Sequence, residues 1–244
     1  MLRALIIALG LAPAVPAAAQ ECERITFDGL DHTICELDPA TTTLRLFHAD
    51  ERGAPWGHFP RLDAALRREG KALGVAMNGG MYHDDRRPVG LYIEDGTEVQ
   101  PVVTRAGPGN FGLLPNGVLC LSDGSASVVE SRRFAEERPE CRDASQSGPM
   151  LVIDGALHPR FLPDSTSRHI RNGVGVREDG TVVLAISDQP VTFHEFGRLF
   201  RDRLETPDAL YLDGSVSRLW APAIGRRDLG RAMGPILGTV VPAD

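Results

Sequence analysis

Beyond its first twenty residues the chain has no apolar run long enough to cross a bilayer, which excludes an internal transmembrane helix. It has no Cys-x-x-Cys and no Cys–His spacing, so the usual zinc and redox-thiol signatures are missing. It has no dense acidic loop of the kind that demands calcium, although an Asp/Asn-rich pocket has the chemistry to hold such a hard cation. No segment repeats at a fixed period, and no low-complexity linker divides the chain. Positive charge does not dominate either: 26 Lys and Arg against 33 Asp and Glu leave a formal charge of −7. That balance argues against general nucleic-acid binding but leaves room for a local basic pocket.

What is present begins with a leader. Arg3 precedes an apolar run from Ala4 to Val15, and Ala17-Ala18-Ala19 has the small side chains of a cleavage site. The run is short and interrupted by Pro13 and Pro16, so it reads as a secretory signal peptide over residues 1–19 rather than an anchor. The mature chain, 20–244, is then exported, periplasmic or secreted, and has no membrane span. Its four cysteines suit that compartment as two disulfides. Four cysteines allow three pairings. Cys22 and Cys35 flank the turn Phe27-Asp28-Gly29-Leu30, which pairs them and leaves Cys120 for Cys141.

Short apolar or β-branched runs alternate with turn pairs: Asp95-Gly96, Asn116-Gly117, Asp123-Gly124, Asp154-Gly155 and Asp179-Gly180. Each pair favours a hairpin. Glu23–Phe27 and Thr33–Leu37 form a first hairpin, Thr43–His48 a strand, and Gly234–Val241 a last apolar strand. Helical spacing covers Phe59–Glu69, and Thr192 with Glu195 makes a capping box for a helix whose apolar face is Phe193, Phe196, Leu199, Phe200 and Leu204. Glu130–Arg142 is a charged helix or loop. The expected class is α+β: one β-rich domain with mainly antiparallel or mixed sheet and few helices.

Two apolar strands end in the same way. Leu73–Met77 runs into Asn78-Gly79-Gly80-Met81-Tyr82, and Ala209–Leu212 runs into Asp213-Gly214-Ser215-Val216-Ser217-Arg218. Strand ends on a rigid scaffold are where chemistry is presented. The bland alternative is a pair of turns with solvated polar residues. Between them lie Gln146-Ser147-Gly148-Pro149 and the basic stretch Arg168-His169-Ile170-Arg171-Asn172, whose guanidinium forks match phosphate or carboxylate oxygens.

These four segments occur in the order of the phosphodiester glycosidase domain, and the chain resembles that family over nearly all of its mature length. The family includes the lysosomal enzyme that removes N-acetylglucosamine from a mannose-6-phosphate diester; the likeness is nearest to a short bacterial exported branch. The chain departs from the pattern where Asp213-Gly214 is followed by Ser215-Val216-Ser217-Arg218 instead of further glycines and serines. The family's Arg-Thr-Ala-Ile-Gly stands here as Arg171-Asn172-Gly173-Val174-Gly175.

The resemblance implies hydrolysis of a sugar-1-phosphodiester, a small molecule or glycan. Arg171 then clamps the phosphate, with Arg168 and Arg218 as second choices. Asp213 is the carboxylate, Asp188 its partner, and His83 and His169 are candidates for proton transfer. Asn78, Gly79, Gly80, Tyr82, Gln146, Ser147, Asn172 and Ser215 line the substrate site, and no cofactor is assigned. A non-catalytic binding protein for an anionic glycan is the alternative.

Overall fold

The computed structural model describes residues 21–213 and 215–243; the leader assigned to residues 1–19 lies outside them. Three sheets carry the fold. The first runs, edge to edge, Glu21–Phe27, Leu30–Leu37, Val182–Ser187, Asn172–Val176, Asp208–Asp213, Met150–Ile153 and Ala156–Leu157. The second is Arg226–Arg227, Leu219–Ala221, Lys71–Asn78, Ile236–Pro242 and Thr43–Phe47. The third is Thr97–Gln100, Tyr92–Glu94, Asp143–Ser147, Gly117–Ser122 and Ser125–Glu130. Every strand pairing among the described residues is antiparallel, so the mixed half of the expectation drops out.

One core is shared by all three sheets. Leu184, Ile186, Leu210 and Leu212 of the first meet Leu44, Met77 and Leu237 of the second and Tyr92, Leu119 and Leu121 of the third. Helices close the outer faces. Phe196 and the following turn through Leu199 and Phe200 cover the first sheet, Phe59–Arg67 covers the second, and Phe134 of Ser131–Glu137 packs on the third. A strand covered on both sides needs apolar residues throughout, which is why Val182–Ser187 reads as a run and not an alternation.

Asp28-Gly29, Asp95-Gly96 and Asp154-Gly155 each place two successive residues at positive φ, the conformation that selects these residue types. Asn116-Gly117 is a correction. Gly117 opens the strand Gly117–Ser122, and a Cβ there would stand 2.9 Å from Met150 Cγ, so the glycine answers a packing need and not a turn.

The disulfides are Cys22–Cys35 and Cys120–Cys141, spanning 13 and 21 residues. Closing loops of that length restricts the unfolded chain by about 3 kcal/mol each. Reduction under non-denaturing conditions is therefore expected to lower the urea midpoint clearly, and an unchanged midpoint would contradict it.

Candidate active site

The strand ends named from the sequence converge. Asn78 closes the second sheet's central strand, Asn172 opens a strand of the first, and Asp213 pairs with Asn172 across that sheet. The two asparagines clasp each other. Asn78 Nδ2 donates to Asn172 Oδ1 at 3.1 Å, and Asn172 Nδ2 donates to Asn78 Oδ1 at 3.0 Å. Each carbonyl accepts once more. Asn172 Oδ1 takes the backbone N–H of Asp213 at 3.1 Å, and Asn78 Oδ1 takes that of Arg218 at 3.0 Å. The third sheet joins below: Ser145 Oγ donates to the Gly79 carbonyl at 2.6 Å, and Ser147 Oγ to the Leu212 carbonyl at 3.2 Å. All three sheets thus fix the segments that carry Asp213 and Arg218.

Asp213 is nearly buried, at 9% exposure, and its Oδ1 accepts the Ser215 N–H at 2.7 Å, which sets the carboxyl's direction. Ser217 Oγ ties the Asp213 carbonyl at 2.6 Å and the Ile170 carbonyl at 2.9 Å. Tyr82 lies beside this acid. Burial first, then the Asp213 charge, push the Tyr82 phenol up, while Arg86, Arg218 and Arg231 pull it down. Burial lowers Arg218, and Tyr82, Asp228 and Asp213 oppose the loss. Tyr82 thus lies within electrostatic reach of Asp213 and of three arginines, and Arg218 within reach of Asp213.

Arg171 is completely enclosed. Its Nε donates to the Val191 carbonyl at 2.9 Å and its Nη2 to the Ser167 carbonyl at 3.1 Å, while the Phe193 ring covers it 3.6 Å from Cζ. Nη1 and the nearby Tyr211 hydroxyl lack hydrogen-bond geometry to any described partner. Burial pulls Arg171 down and Tyr211 up; the two groups are near enough to influence each other electrostatically without being aligned.

The aromatic stack continues from Phe193 through Phe161 to His158. Burial lowers the His158 pKa to about 4, and its Nδ1 accepts the Arg160 N–H at 3.2 Å, so the neutral ring is the folded form. The unfolded chain then binds this proton more readily than the folded one. The stability is complete above the ordinary value of 6.5 and is lost as pH falls toward about 4, by on the order of 3 kcal/mol. Buried His32 and half-buried His48 shift in the same direction. His158→Phe is expected to flatten, without abolishing, the fall in urea midpoint between neutral and acid pH; an equally steep fall would contradict this.

Several sequence candidates turn out to serve the scaffold. Asn78 and Asn172 are sealed and spend their amides on each other. Gln146 is sealed as well. Its Oε1 accepts from the Leu91 and Val103 N–H groups, and its Nε2 donates to the Val103 carbonyl and Ser131 Oγ. Ser147 is buried under Leu212. Gly79 and Gly80 are packing glycines: a Cβ would stand 2.8 Å from Leu237 N and 2.6 Å from Ser145 Oγ respectively. Arg168 is held in a two-pronged pair by Glu195, which also caps its own helix.

Asp188 is bound to Thr33 and Arg226, in a separate hollow with Arg24 and Asp31, and none of these contacts joins it to Asp213. His83 lies exposed in the turn before Arg87, and His169 is exposed on a bridge to Val191; neither ring hydrogen-bonds among the described residues. Ser215 is exposed and reaches Asp213 through its backbone N–H. Among the described residues no group of three His, Cys, Asp or Glu stands close enough to hold a metal. Tyr211, which lies beside Arg171, and Arg86 and Arg231, which act on Tyr82, were not singled out from the sequence. Tyr211 precedes Asp213 by two strand positions, which is the one signal the sequence offered.

A family model described as phosphodiester glycosidase matches residues 71–232. The chain is 32% identical over 219 residues to YigE, an uncharacterized protein of Escherichia coli (strain K12), covering 90% of this chain and 85% of that one. Among solved structures, it resembles the catalytic domain of zebrafish N-acetylglucosamine-1-phosphodiester alpha-N-acetylglucosaminidase, auto-inhibited by its pro-peptide. The TM-score is 0.63 at 15% identity, over 93% of this chain and 85% of that one. A hypothetical protein from Synechocystis gives 0.60 at 14% identity, over 90% and 61%. At such identities these structures speak for the fold, while the family model and the bacterial relative, spanning most of the chain, speak for descent. The chain belongs to the phosphodiester glycosidase family.

Proposed function

We propose that residues 20–244 are an exported hydrolase that cleaves the glycosidic bond of a sugar-1-phosphodiester. The carrying observation is a nearly buried carboxylate, Asp213, with Tyr82 and Arg218 within its electrostatic reach, in a member of this family. Water adds its oxygen to the anomeric carbon. The bond from that carbon to the phosphate oxygen breaks, its electron pair leaving with the phosphate. Phosphate needs little help to leave once a guanidinium offsets its charge, so the carboxylate's task lies at the other end. Asp213 takes the water's proton or stabilises positive charge developing on the sugar. Among the described residues Arg171 and Arg218 are the buried arginines, and a guanidinium of this kind is what would offset the phosphate's charge.

Two disulfides, no helix long and apolar enough to cross a membrane among the described residues, and the leader sequence support export. The test is to incubate purified protein with a panel of sugar-1-phosphodiesters, nucleotide sugars included, and to detect free sugar. Release from at least one member is expected. Saturable binding of the panel with no sugar released from any member would replace the hydrolase by a binding protein.

A further inference from the structure

We propose that Arg218, and not Arg171, grips the phosphate, and that the hollow beyond Arg218 takes the group esterified to the phosphate's far side, a compact polyol or single sugar. This placement rests on the hydrolytic reading of the site, although the grip itself is testable without turnover. Arg218 is only 6% exposed, yet its Nη2 has no hydrogen-bond partner among the described residues. A buried guanidinium N–H without a partner is costly and asks for an acceptor. The acid best placed to supply one, Asp228, is spent on Arg226 and on the Leu219 N–H. By contrast Arg171 gives two of its nitrogens to carbonyls under a Phe193 lid, and Arg168 is paired with Glu195.

Arg218 lines a cavity of ≈ 360 Å³ with Phe59, Pro60, Arg61, Leu229 and Gly230. That is the low end of the range for small-molecule sites, enough for a polyol or one ring and too small for an extended chain. Gly230 has φ +151, and a Cβ there would stand 3.3 Å from Arg218 Cζ and Nε. The glycine thus lets the backbone lie close against the guanidinium on that side. Asp213 and Tyr82 act electrostatically on the same guanidinium. The Asp213 and Arg218 N–H groups both hang on the Asn78–Asn172 clasp, so the guanidinium that lines the hollow is carried on the same tethered segment as the acid. A phosphate held by Arg218 has its sugar carbon toward Asp213 and its other ester arm toward Phe59, Pro60 and Leu229. The apolar walls suit the C–H faces of a polyol; Asp228 also lines the hollow and can accept from a hydroxyl, while Arg61 at the rim is paired with Asp50.

The experiment is calorimetric titration of the full mature chain with inorganic phosphate and with glycerol phosphate. Wild type is expected to bind both, glycerol phosphate more tightly. Arg218→Gln should weaken both by about tenfold or more, the usual worth of a charge-assisted pair. Leu229 is 76% exposed, so Leu229→Glu leaves the fold intact and places a negative charge at the rim. It should weaken both ligands as well, which keeps the test decisive if Arg218→Gln unfolds. Arg168→Gln should change neither. Undiminished binding by both Arg218→Gln and Leu229→Glu, or no preference for glycerol phosphate, would overturn the assignment. Binding that follows this pattern in a protein that releases no sugar would uphold the grip and remove the hydrolytic reading. Sugar release with an unchanged KM in Arg218→Gln would do the reverse.

Discussion

Asp213→Asn is expected to lower kcat by about 10²- to 10⁴-fold on any accepted sugar phosphodiester while leaving the protein folded. The substitution keeps the shape of the side chain. The retained carbonyl oxygen still accepts the Ser215 N–H, and the Asn172 amide still holds the backbone N–H of residue 213. What goes is the negative charge beside Tyr82 and Arg218. Without it, water has no base and a developing positive charge on the sugar has no counter-ion. The same change removes repulsion between the carboxylate and an incoming phosphate diester, so KM should fall or stay level. A drop in kcat without a rise in KM separates a catalytic group from one that merely binds substrate. The thermal midpoint is the control. Turnover at the wild-type rate would remove Asp213 from the chemistry.

The sequence disclosed this acid because an apolar strand that stops at Asp-Gly is visible locally. The hairpins were visible for a similar reason: Asp28-Gly29, Asp95-Gly96 and Asp154-Gly155 carry positive φ, a demand written into residue type. Asn116-Gly117 shows the other reason for a glycine. Its neighbour Met150 comes from a distant strand, and nothing nearby in the chain announces it. That the amides of Asn78, Asn172 and Gln146 are engaged inside the scaffold was hidden for the same cause. An asparagine at a strand end looks identical whether it faces a ligand or another asparagine 94 residues away. Local pattern located the strand ends. Only the packing of three sheets decided which polar groups were already spent.

That packing yields the second large effect. Asn78→Ala and Asn172→Ala are each expected to destabilise the protein by about 2–4 kcal/mol and to remove most activity even where the fold survives. Either change strands the other amide in the interior. Asn172→Ala also leaves the Asp213 N–H without its acceptor, and Asn78→Ala does the same to the Arg218 N–H. Orphaned buried groups cost about 1–3 kcal/mol apiece, so the losses overlap. The double variant removes both amides together and should cost less than the two singles added, with a coupling of about 1–3 kcal/mol from urea unfolding. Activity should behave differently. The backbone N–H groups of Asp213 and Arg218 are each held by one asparagine, so kcat should fall in Asn172→Ala, which loosens Asp213. KM should rise in Asn78→Ala, which loosens Arg218. Additive unfolding energies together with unaltered kinetics would show that the clasp joins the sheets without positioning the site.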